Sequence, residues 1–354
     1  MKILLLSRYG PLGSSSRLRF YQYLPFLEEH GLQLTVSPLL EDEYVHRLYT
    51  GQRQPAIFLA RAYAHRLTAL LRAKRFDLIW LEKEFLPWLP ALAPQLLRTP
   101  YVVDYDDAIF HRYDRHPSRL VRALLGRKID QTMRRAALVI AGNEYLAARA
   151  RLAGAPRVEI LPTVIDTKRY GITPPDEPGS FRIGWVGAPV TAAYLKLIEP
   201  ALETLLRQPG TSLTLLGAAH PLAARLPVET RPWSEAGEVP EIQRFDVGIM
   251  PLPDEPFERG KCGYKLIQYM GCGLPVVASP VGVNAQIVEP GVNGFLADTQ
   301  TEWVRALETL RADPALRQKL GAAGRAKVER DYSLAVAAPK LREMLLSVSA
   351  KHLP

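Results

Sequence analysis

The sequence predicts an α/β protein made of two parallel-sheet halves, and three observations predict it. The chain has 354 residues, about twice the length of a typical single domain. Short apolar runs alternate with helix-length stretches along almost the whole chain. A proline-rich break near the middle interrupts that alternation, after which it starts again.

In the first half the apolar runs are Ile3 to Leu6, Leu32 to Val36, Leu78 to Leu81, Tyr101 to Val103, Leu138 to Ala141 and Val158 to Leu161. Most are continuous rather than alternating, as strands covered on both faces are. Helices are expected between them at Arg17 to His30, Ile57 to Lys74 and Ser118 to Arg135. The break is Thr173-Pro174-Pro175-Asp176-Glu177-Pro178-Gly179-Ser180, which can continue neither a helix nor a central strand. Beyond it, strands are expected at Arg182 to Val186, Leu213 to Leu216, Val247 to Met250, Pro275 to Ala278 and Gly294 to Ala297. Helices are expected at Ala192 to Leu206, Glu302 to Leu310 and Leu334 to Val348. This divides the chain into a Rossmann-like domain over 1–170, a linker over 171–180 and a second Rossmann-like domain over 181–332. A terminal helix over 333–354 is placed to pack back on the first domain. Such sheets bind ligands at the carboxyl ends of their strands, so the crevice between the halves is the expected site.

Composition narrows the function classes. Hydrophobic residues make up 47% and charged residues 23%, a globular balance. No apolar run reaches the roughly 18–20 residues of a membrane span, and Met1 to Leu6 is too short for the apolar core of a signal peptide. Two cysteines, Cys262 and Cys272, are too few for a zinc cage or a disulfide framework, so a reduced, cytoplasmic setting is expected. The net charge of +9 is uneven: residues 1–170 carry 26 Lys/Arg against 16 Asp/Glu, and the remainder 19 against 20. A basic first half attracts nucleic acid, anionic lipid or a phosphorylated substrate, and solvated surface is the plain alternative. Aromatic and basic residues do not interleave as they do in single-strand binders, and no nucleic acid is expected. Trp303 and Tyr332 are expected to pack the C-terminal region.

Two stretches carry candidate chemistry. The first runs from Gly260 to Ser279 and reads as a glycine-rich loop, a short helix, a glycine turn and a buried strand. A helix opening near Gly263 directs amide N–H groups and a positive dipole end at an anion, and Gly260 and Gly263 permit close approach. Lys261 and Lys265, four apart, can neutralise one anion together, or be a solvated pair. The second, Arg182 to Thr191, is a strand ending at Gly187, broken by Pro189, with Thr191 able to cap the next helix.

At these residues the chain resembles the retaining GT-B glycosyltransferases of family 4, whose fold is two Rossmann-like domains facing each other across a cleft. The resemblance runs over nearly the full length. Leu161 to Tyr170 looks like the family's crossover into the second domain, Gln268 to Ser279 is similar to its main signature, and Pro290 to Leu296 matches its next turn. It implies transfer of a sugar from a nucleoside diphosphate sugar to a hydroxyl of a glycan or glycolipid acceptor, with retention. It also implies no cofactor and no obligatory metal, because positive side chains and helix N-termini stabilise the departing diphosphate. Lys265, Lys261 and Asp106 would then be catalytic, and Gly187, Thr191, Gly260, Gly263, Tyr264 and Gln268 would hold the donor.

In the first half, Gly10 to Arg17 resembles the family's loop beneath the donor sugar, which nominates Gly13, Ser14 and Arg17. There Ser16 can cap a helix whose first turn contains Arg17. In Asp104-Tyr105-Asp106-Asp107, Asp106 stands where the family often has a histidine and Asp107 matches the following acid. These carboxylates can orient sugar hydroxyls, take the acceptor proton, cap a helix, or pair with Arg112 and Arg115. Glu82-Lys83-Glu84 follows a strand toward the same edge, with Glu82 a possible acceptor contact and a solvated loop the alternative. Ser118 to Arg135 reads as a basic amphipathic helix with Leu120, Val121, Leu124, Leu125 and Ile129 on its apolar side, fit for an anionic membrane or for the core.

The departures from the family matter. Gly260 and Gln268 stand where many members carry two glutamates, Glu258 lies two residues off the first, and Ala188-Pro189 replace a common arginine. Two rivals follow: an epimerase or hydrolase of nucleotide sugars on the same scaffold, and a non-catalytic nucleotide-sugar-binding partner of another transferase.

Overall fold

The computed structural model describes residues 1–49, 52–172 and 180–350. Most of the expected linker, 173–179, lies outside the described residues. Two compact units emerge. The first is Met1–Thr163 with Gly260–Cys262 and the chain from Leu334 onward; the second is Val164–Arg259 with Gly263–Ser333.

The first unit holds a six-stranded parallel sheet of β1 (Lys2–Leu6), β2 (Gln33–Val36), β3 (Leu78–Glu82), β4 (Tyr101–Tyr105), β5 (Leu138–Ala141) and β6 (Val158–Ile160), in the order β2-β1-β3-β4-β5-β6. The register sets Ile3 against both Leu34 and Leu78. The interior strands β3, β4 and β5 are buried along their whole length, which is why their sequences are apolar apart from Glu82 and Asp104 near the carboxyl ends of β3 and β4. The second unit holds β7 (Phe181–Val186), β8 (Thr211–Leu216), β9 (Val228–Arg231), β10 (Val247–Met250), β11 (Val276–Ala278) and β12 (Gly294–Leu296), in the order β12-β11-β10-β7-β8-β9, again all parallel. Alternate residues of these strands feed opposite cores. Val247 and Ile249 pack with Leu202, Leu205 and Trp303, and Met250 packs with Leu266, Tyr269 and Met270.

Each sheet has one point where the strand order reverses: between β1 and β3 in the first, between β7 and β10 in the second. Loops leaving the carboxyl ends of strands on either side of such a point diverge to opposite faces and open a crevice for ligand. Those two places position everything that follows.

The structure differs from the sequence reading in several places. The expected boundaries at 170 and 181 give way to a division at Thr163, because Ile165 and Tyr170 bury their side chains in the second unit's core. The short segment Gly260–Cys262 groups with the first unit. β9 was not foreseen: it is a four-residue edge strand, Val-Glu-Thr-Arg, with Glu229 and Thr230 exposed, so it has little apolar pattern to read. The helix Pro314–Asp331 was not foreseen either; Gly321 interrupts its apolar pattern, and a Cβ there would lie 1.9 Å from the Gly273 carbonyl oxygen. The single helix expected over Arg17 to His30 is split into Ser14–Arg19, a 3-10 turn at Tyr21–Tyr23, and Leu24–Glu29, the last begun by Pro25. That over Ser118 to Arg135 breaks at Gly126-Arg127 into Arg119–Leu125 and Lys128–Arg135. The C-terminal helix Leu334–Ala350 buries Leu341 and Leu345 and lies against the Leu24–Glu29 helix of the first unit.

Candidate functional site

The reversal point of the first sheet carries a dense charge network. β3 ends in Glu82-Lys83-Glu84, and all three are buried, at 2%, 6% and 4% exposure, so the solvated loop considered from sequence is excluded. Glu82 accepts from the Arg8 amide at 2.6 Å, from Ser15 Oγ at 2.9 Å and from Ser16 Oγ at 2.6 Å. Its carboxylate thereby ties the loop after β1 to the end of β3, which leaves it a support rather than a group aimed at an acceptor. Glu84 receives Lys128 Nζ at 2.7 Å, Arg8 Nη1 at 3.1 Å and the Tyr113 hydroxyl at 2.9 Å. Burial holds the Lys128 ammonium below its usual range although Glu84 opposes the shift.

The helix after β1 starts at Ser14, with Gly13 rather than Ser16 as its N-cap. Ser16 sits inside it, donating to Glu82 and accepting from the Tyr9 amide at 3.0 Å. Because the helix starts three residues early, Arg17 lies in its last turn and not in its first, where its charge suits the dipole. Arg17 is buried and donates to the Pro11 carbonyl at 3.2 Å, while Ser14 is exposed.

The acidic run after β4 divides into separate tasks. Asp104 is fully buried against Arg19, which donates to both of its oxygens at 2.8 Å and to the Leu161 carbonyl at 2.8 Å. Burial pushes the Asp104 carboxyl up to about 6, against the pull of Arg19. Asp106 has Lys83 Nζ at 2.7 Å and the Ser15 hydroxyl at 2.7 Å. Burial works against its charge, but Lys83, Ser15 and Arg19 outweigh it and hold the carboxyl below the ordinary range. Asp107 is the most open of the three, with its side chain 31% exposed, Lys83 Nζ at 3.4 Å and Lys261 Nζ at 4.0 Å. Arg112 and Arg115, the partners considered from sequence, are exposed; Lys83 and Arg19 pair with these acids.

Asn143 anchors the short segment that carries Lys261. Its Oδ1 caps the Glu144–Leu152 helix by accepting from the Leu146 amide, and its Nδ2 donates to the carbonyls of Gly260 at 2.9 Å and Lys261 at 3.1 Å. Cys262 Sγ donates to the Asp106 carbonyl at 3.2 Å. Lys261 and Lys265, expected as a pair on one anion, therefore belong to different units.

In the second unit the reversal point is built from glycines, aromatics and one ammonium. β7 ends at Val186-Gly187, and a Cβ on Gly187 would lie 2.5 Å from the Trp185 ring and 2.8 Å from Thr191 Oγ1. The short helix that follows is capped by Ala188 and opened by Pro189; Thr191 lies inside it, donating to the Ala188 carbonyl at 3.0 Å instead of capping. Lys265 Nζ stands 5.5 Å from the centre of the Trp185 ring, a cation–π distance. Lys265 belongs to the helix Tyr264–Gly271, whose N-cap Gly263 takes φ +65. Only glycine suits that backbone and that space, since a Cβ would lie 2.3 Å from Ile287 Cδ1. The structure thus brings Gly187, Thr191 and Lys265 to Trp185, while Gly263 begins the helix that delivers the lysine.

Gln268 is 1% exposed and donates to Glu238 Oε1 at 2.7 Å and to the Tyr170 hydroxyl at 3.1 Å. Glu238 also accepts from Trp233 Nε1 at 2.6 Å, and the Tyr170 hydroxyl lies 3.1 Å from that of Tyr264. Glu258 is buried and receives the Tyr194 hydroxyl at 2.5 Å. Glu238, Arg19 and Asn143 were missed from sequence, and Lys83 and Trp185 were given no role of their own within the stretches that contain them. Asn143 alone had a readable signal, a capping residue between strand and helix; the others depend on partners distant along the chain. Among the described residues no group of three or more His, Cys, Asp or Glu side chains is arranged to hold a metal ion.

Comparison with known proteins places these two units. Residues 33–163 match the glycosyl transferase 4-like domain, and residues 180–313 match glycosyl transferases group 1. D-inositol 3-phosphate glycosyltransferase of Streptomyces bingchenggensis is 33% identical over 128 residues, covering 34% of this chain and 27% of that protein. The chain thus aligns with about a quarter of that relative's length. Anabaena HepE in complex with UDP-glucose superposes with a TM-score of 0.74 at 21% identity, over 98% of this chain and 100% of that one. Sucrose-phosphate synthase of Thermosynechococcus elongatus does so with a TM-score of 0.73 at 17% identity, over 99% and 100%. Residues 33–163, with five of the six strands of the first sheet, thus match a glycosyl transferase 4-like domain, residues 180–313 match a glycosyl transferases group 1 domain, and the two six-stranded parallel sheets have the two-domain GT-B fold.

Proposed function

We propose that the protein is a retaining, metal-independent glycosyltransferase that moves a sugar from a nucleoside diphosphate sugar to a hydroxyl of a glycan or glycolipid. The observation that carries this reading is the assembly at the end of β7. A tight glycine, a buried indole and a lysine ammonium converge there, inside the domain that matches glycosyl transferases group 1. This supports a diphosphate there, to which Lys265 would supply positive charge. The HepE structures hold UDP and UDP-glucose, which supports a uridine nucleotide as the first donor to try.

In this reading Lys265 and the amides of the helix opening at Gly263 stabilise the leaving diphosphate. An oxygen of that diphosphate takes the acceptor proton on the same face, which retains configuration. The first unit binds the acceptor, with Asp106 and Asp107 accepting hydrogen bonds from hydroxyls. A panel of nucleoside diphosphates and their sugars in thermal unfolding is the first test. A ligand at one hundred times its Kd stabilises by about 2.7 kcal/mol, a readable shift. The absence of any shift across the panel sinks the reading.

The rival of a non-catalytic sugar-nucleotide binder rests on Gln268, whose amide is engaged with Glu238. Binding of UDP-glucose without release of UDP, with any acceptor extract, would favour it. We also propose peripheral attachment to anionic membrane at the cytoplasmic face. Leu120 and Leu124, 67% and 66% exposed, stand beside exposed Arg119 on one short helix, supporting this. Among the described residues no helix is long and apolar enough to cross a membrane. Sedimentation with phosphatidylglycerol vesicles, compared with Leu120→Ser/Leu124→Ser, tests it.

A further inference from the structure

Lys83 is the residue at the first sheet's reversal point that this functional reading does not use. It follows the last residue of β3 in the left-handed region, at φ +61, a conformation costly for a residue with a Cβ. That backbone is fixed by its own amide, which donates to the Asp104 carbonyl at 3.0 Å. The side chain ends beneath three oxygens: Asp106 Oδ1 at 2.7 Å, Ser15 Oγ at 3.0 Å and Asp107 Oδ2 at 3.4 Å. Three acceptors match the three donors of an ammonium.

The layering is informative. The Lys83 side chain is 7% exposed, against 14% for Asp106 and 31% for Asp107, so the cation lies below and the carboxylates face outward. Two adjacent carboxylates repel each other, and one is ordinarily driven to keep its proton. A buried ammonium touching both removes that repulsion from beneath; Asp107 is the more open carboxylate, while Asp106 keeps Oδ1 buried and Oδ2 on the Ser15 hydroxyl. Two carboxylates held in place at a strand end are suited to neighbouring hydroxyls, each of which donates one hydrogen bond.

We infer that Lys83 is a positioning residue that keeps Asp106 ionised and holds Asp106 and Asp107 in fixed spacing as a paired hydrogen-bond acceptor for sugar hydroxyls. The inference rests on the transferase reading for the identity of the ligand, and on this geometry alone for the control that Lys83 exerts. The charged and titratable groups around Asp106 and Asp107 include Asp104 on β4, Lys83 and Glu82 on the β3 end, Arg19 on the helix after β1, and Lys261 and Cys262 on the segment held by Asn143. Lys83 contacts both carboxylates.

The test compares wild type, Lys83→Met and Lys83→Arg with two readouts. Carbon-13 NMR titration of aspartate carboxyls, with Asp106 assigned through Asp106→Asn, needs no turnover. Release of UDP from UDP-glucose across pH reports function. Lys83→Met is expected to raise the Asp106 titration by more than about one pH unit, since burial is then opposed by Ser15 and Arg19 without the largest favourable partner. The acidic limb of UDP release should rise with it, giving a loss of about tenfold at mildly acidic pH that recovers as pH increases. Lys83→Arg keeps a cation and is expected to hold both near wild type. An unmoved Asp106 titration in Lys83→Met overturns the inference, as does a titration that moves while the acidic limb stays put. A uniform loss at every pH shared by both variants reduces Lys83 to a structural role and likewise overturns it. A wild type that neither binds nor cleaves UDP-glucose counts against that donor and the transferase reading; the NMR arm then decides alone whether Lys83 governs the pair. If Lys83→Met does not fold, the titration in Lys83→Arg still decides, and a shift there as large as one pH unit overturns the inference.

Discussion

The two reversal points solve the same topological problem with different chemistry. At the end of β3 and β4, buried acids and bases are interlocked: Arg19 with Asp104, Lys83 with Asp106, Lys128 with Glu84. At the second sheet's reversal, the end of β7, which stands where the first sheet has β1, carries Gly187, Trp185 and Lys265. The first is a rigid polar framework in which most charge is already spent on internal partners. The second sets a lysine ammonium against an aromatic face, beside a glycine with no room for a Cβ. A preorganised network suits the orientation of neutral hydroxyls, whereas a cation near a helix start suits an anion.

Breaking this comparison has graded consequences. The largest effect is expected from Arg19→Ala, which strands the buried Asp104 carboxylate without its bidentate partner. Removing one member of a buried pair costs about 3–5 kcal/mol, to be read by urea unfolding. A loss below about 1 kcal/mol would show that the framework is not interlocked.

Next comes Gln268→Glu, which restores the glutamate common in the family. Here the Gln268 amide donates to Glu238, so the substitution sets carboxyl against carboxyl in a buried place. The introduced carboxyl has its pKa raised above its unfolded value near 4.3. Between those two values the folded variant holds a proton that the unfolded chain has released, so its stability falls as pH rises through that window. Unfolding at several pH values checks the sign; a variant that gains stability with pH contradicts the network.

A smaller, local effect separates the two sites by function. Lys265→Ala is expected to weaken UDP binding by about 1.5–3 kcal/mol with an unchanged Tm, as loss of a charged hydrogen bond does. Asp106→Asn is expected to lower turnover more than donor affinity. Calorimetry with UDP and kinetics with UDP-glucose distinguish them, and matching losses in both variants would erase the contrast.

The smallest perturbation uses the cysteines as reporters, one per unit. Burial pushes the thiols of Cys262 and Cys272 up to about 12, so neither reacts appreciably at pH 8 while folded. Labelling of single-cysteine variants in rising urea should give one curve for the first unit and another for the second. Rapid labelling in buffer alone would show that the thiol concerned is open.

Sequence periodicity and glycine placement found the second site better than the first. Gly187, Gly263 and Lys265 are legible because their roles follow from local chain geometry: a strand end, a left-handed cap, a lysine in the next turn. Thr191 and Ser16 were misplaced as caps by three residues, since cap position depends on where a neighbouring proline or glycine starts the helix. In the first site, Glu82 and Asp106 were legible as acids at strand ends, but not what they do. Glu82 is engaged by Ser15 and Ser16, more than sixty residues away along the chain.

What the sequence by itself determined is the succession of buried strands, the break between two sheets, and the glycines that leave room at their carboxyl ends. Those depend on hydrophobic burial and backbone sterics, which act between near neighbours and leave a periodic trace. What only the tertiary structure decided is which charges are consumed by partners and which remain open. Lys83 beneath Asp106 and Asp107, Arg19 on Asp104, and Glu238 on Gln268 are all such cases. Ion pairs and buried hydrogen bonds are settled by distances of about 3 Å between residues far apart in the chain, and no local pattern encodes those distances.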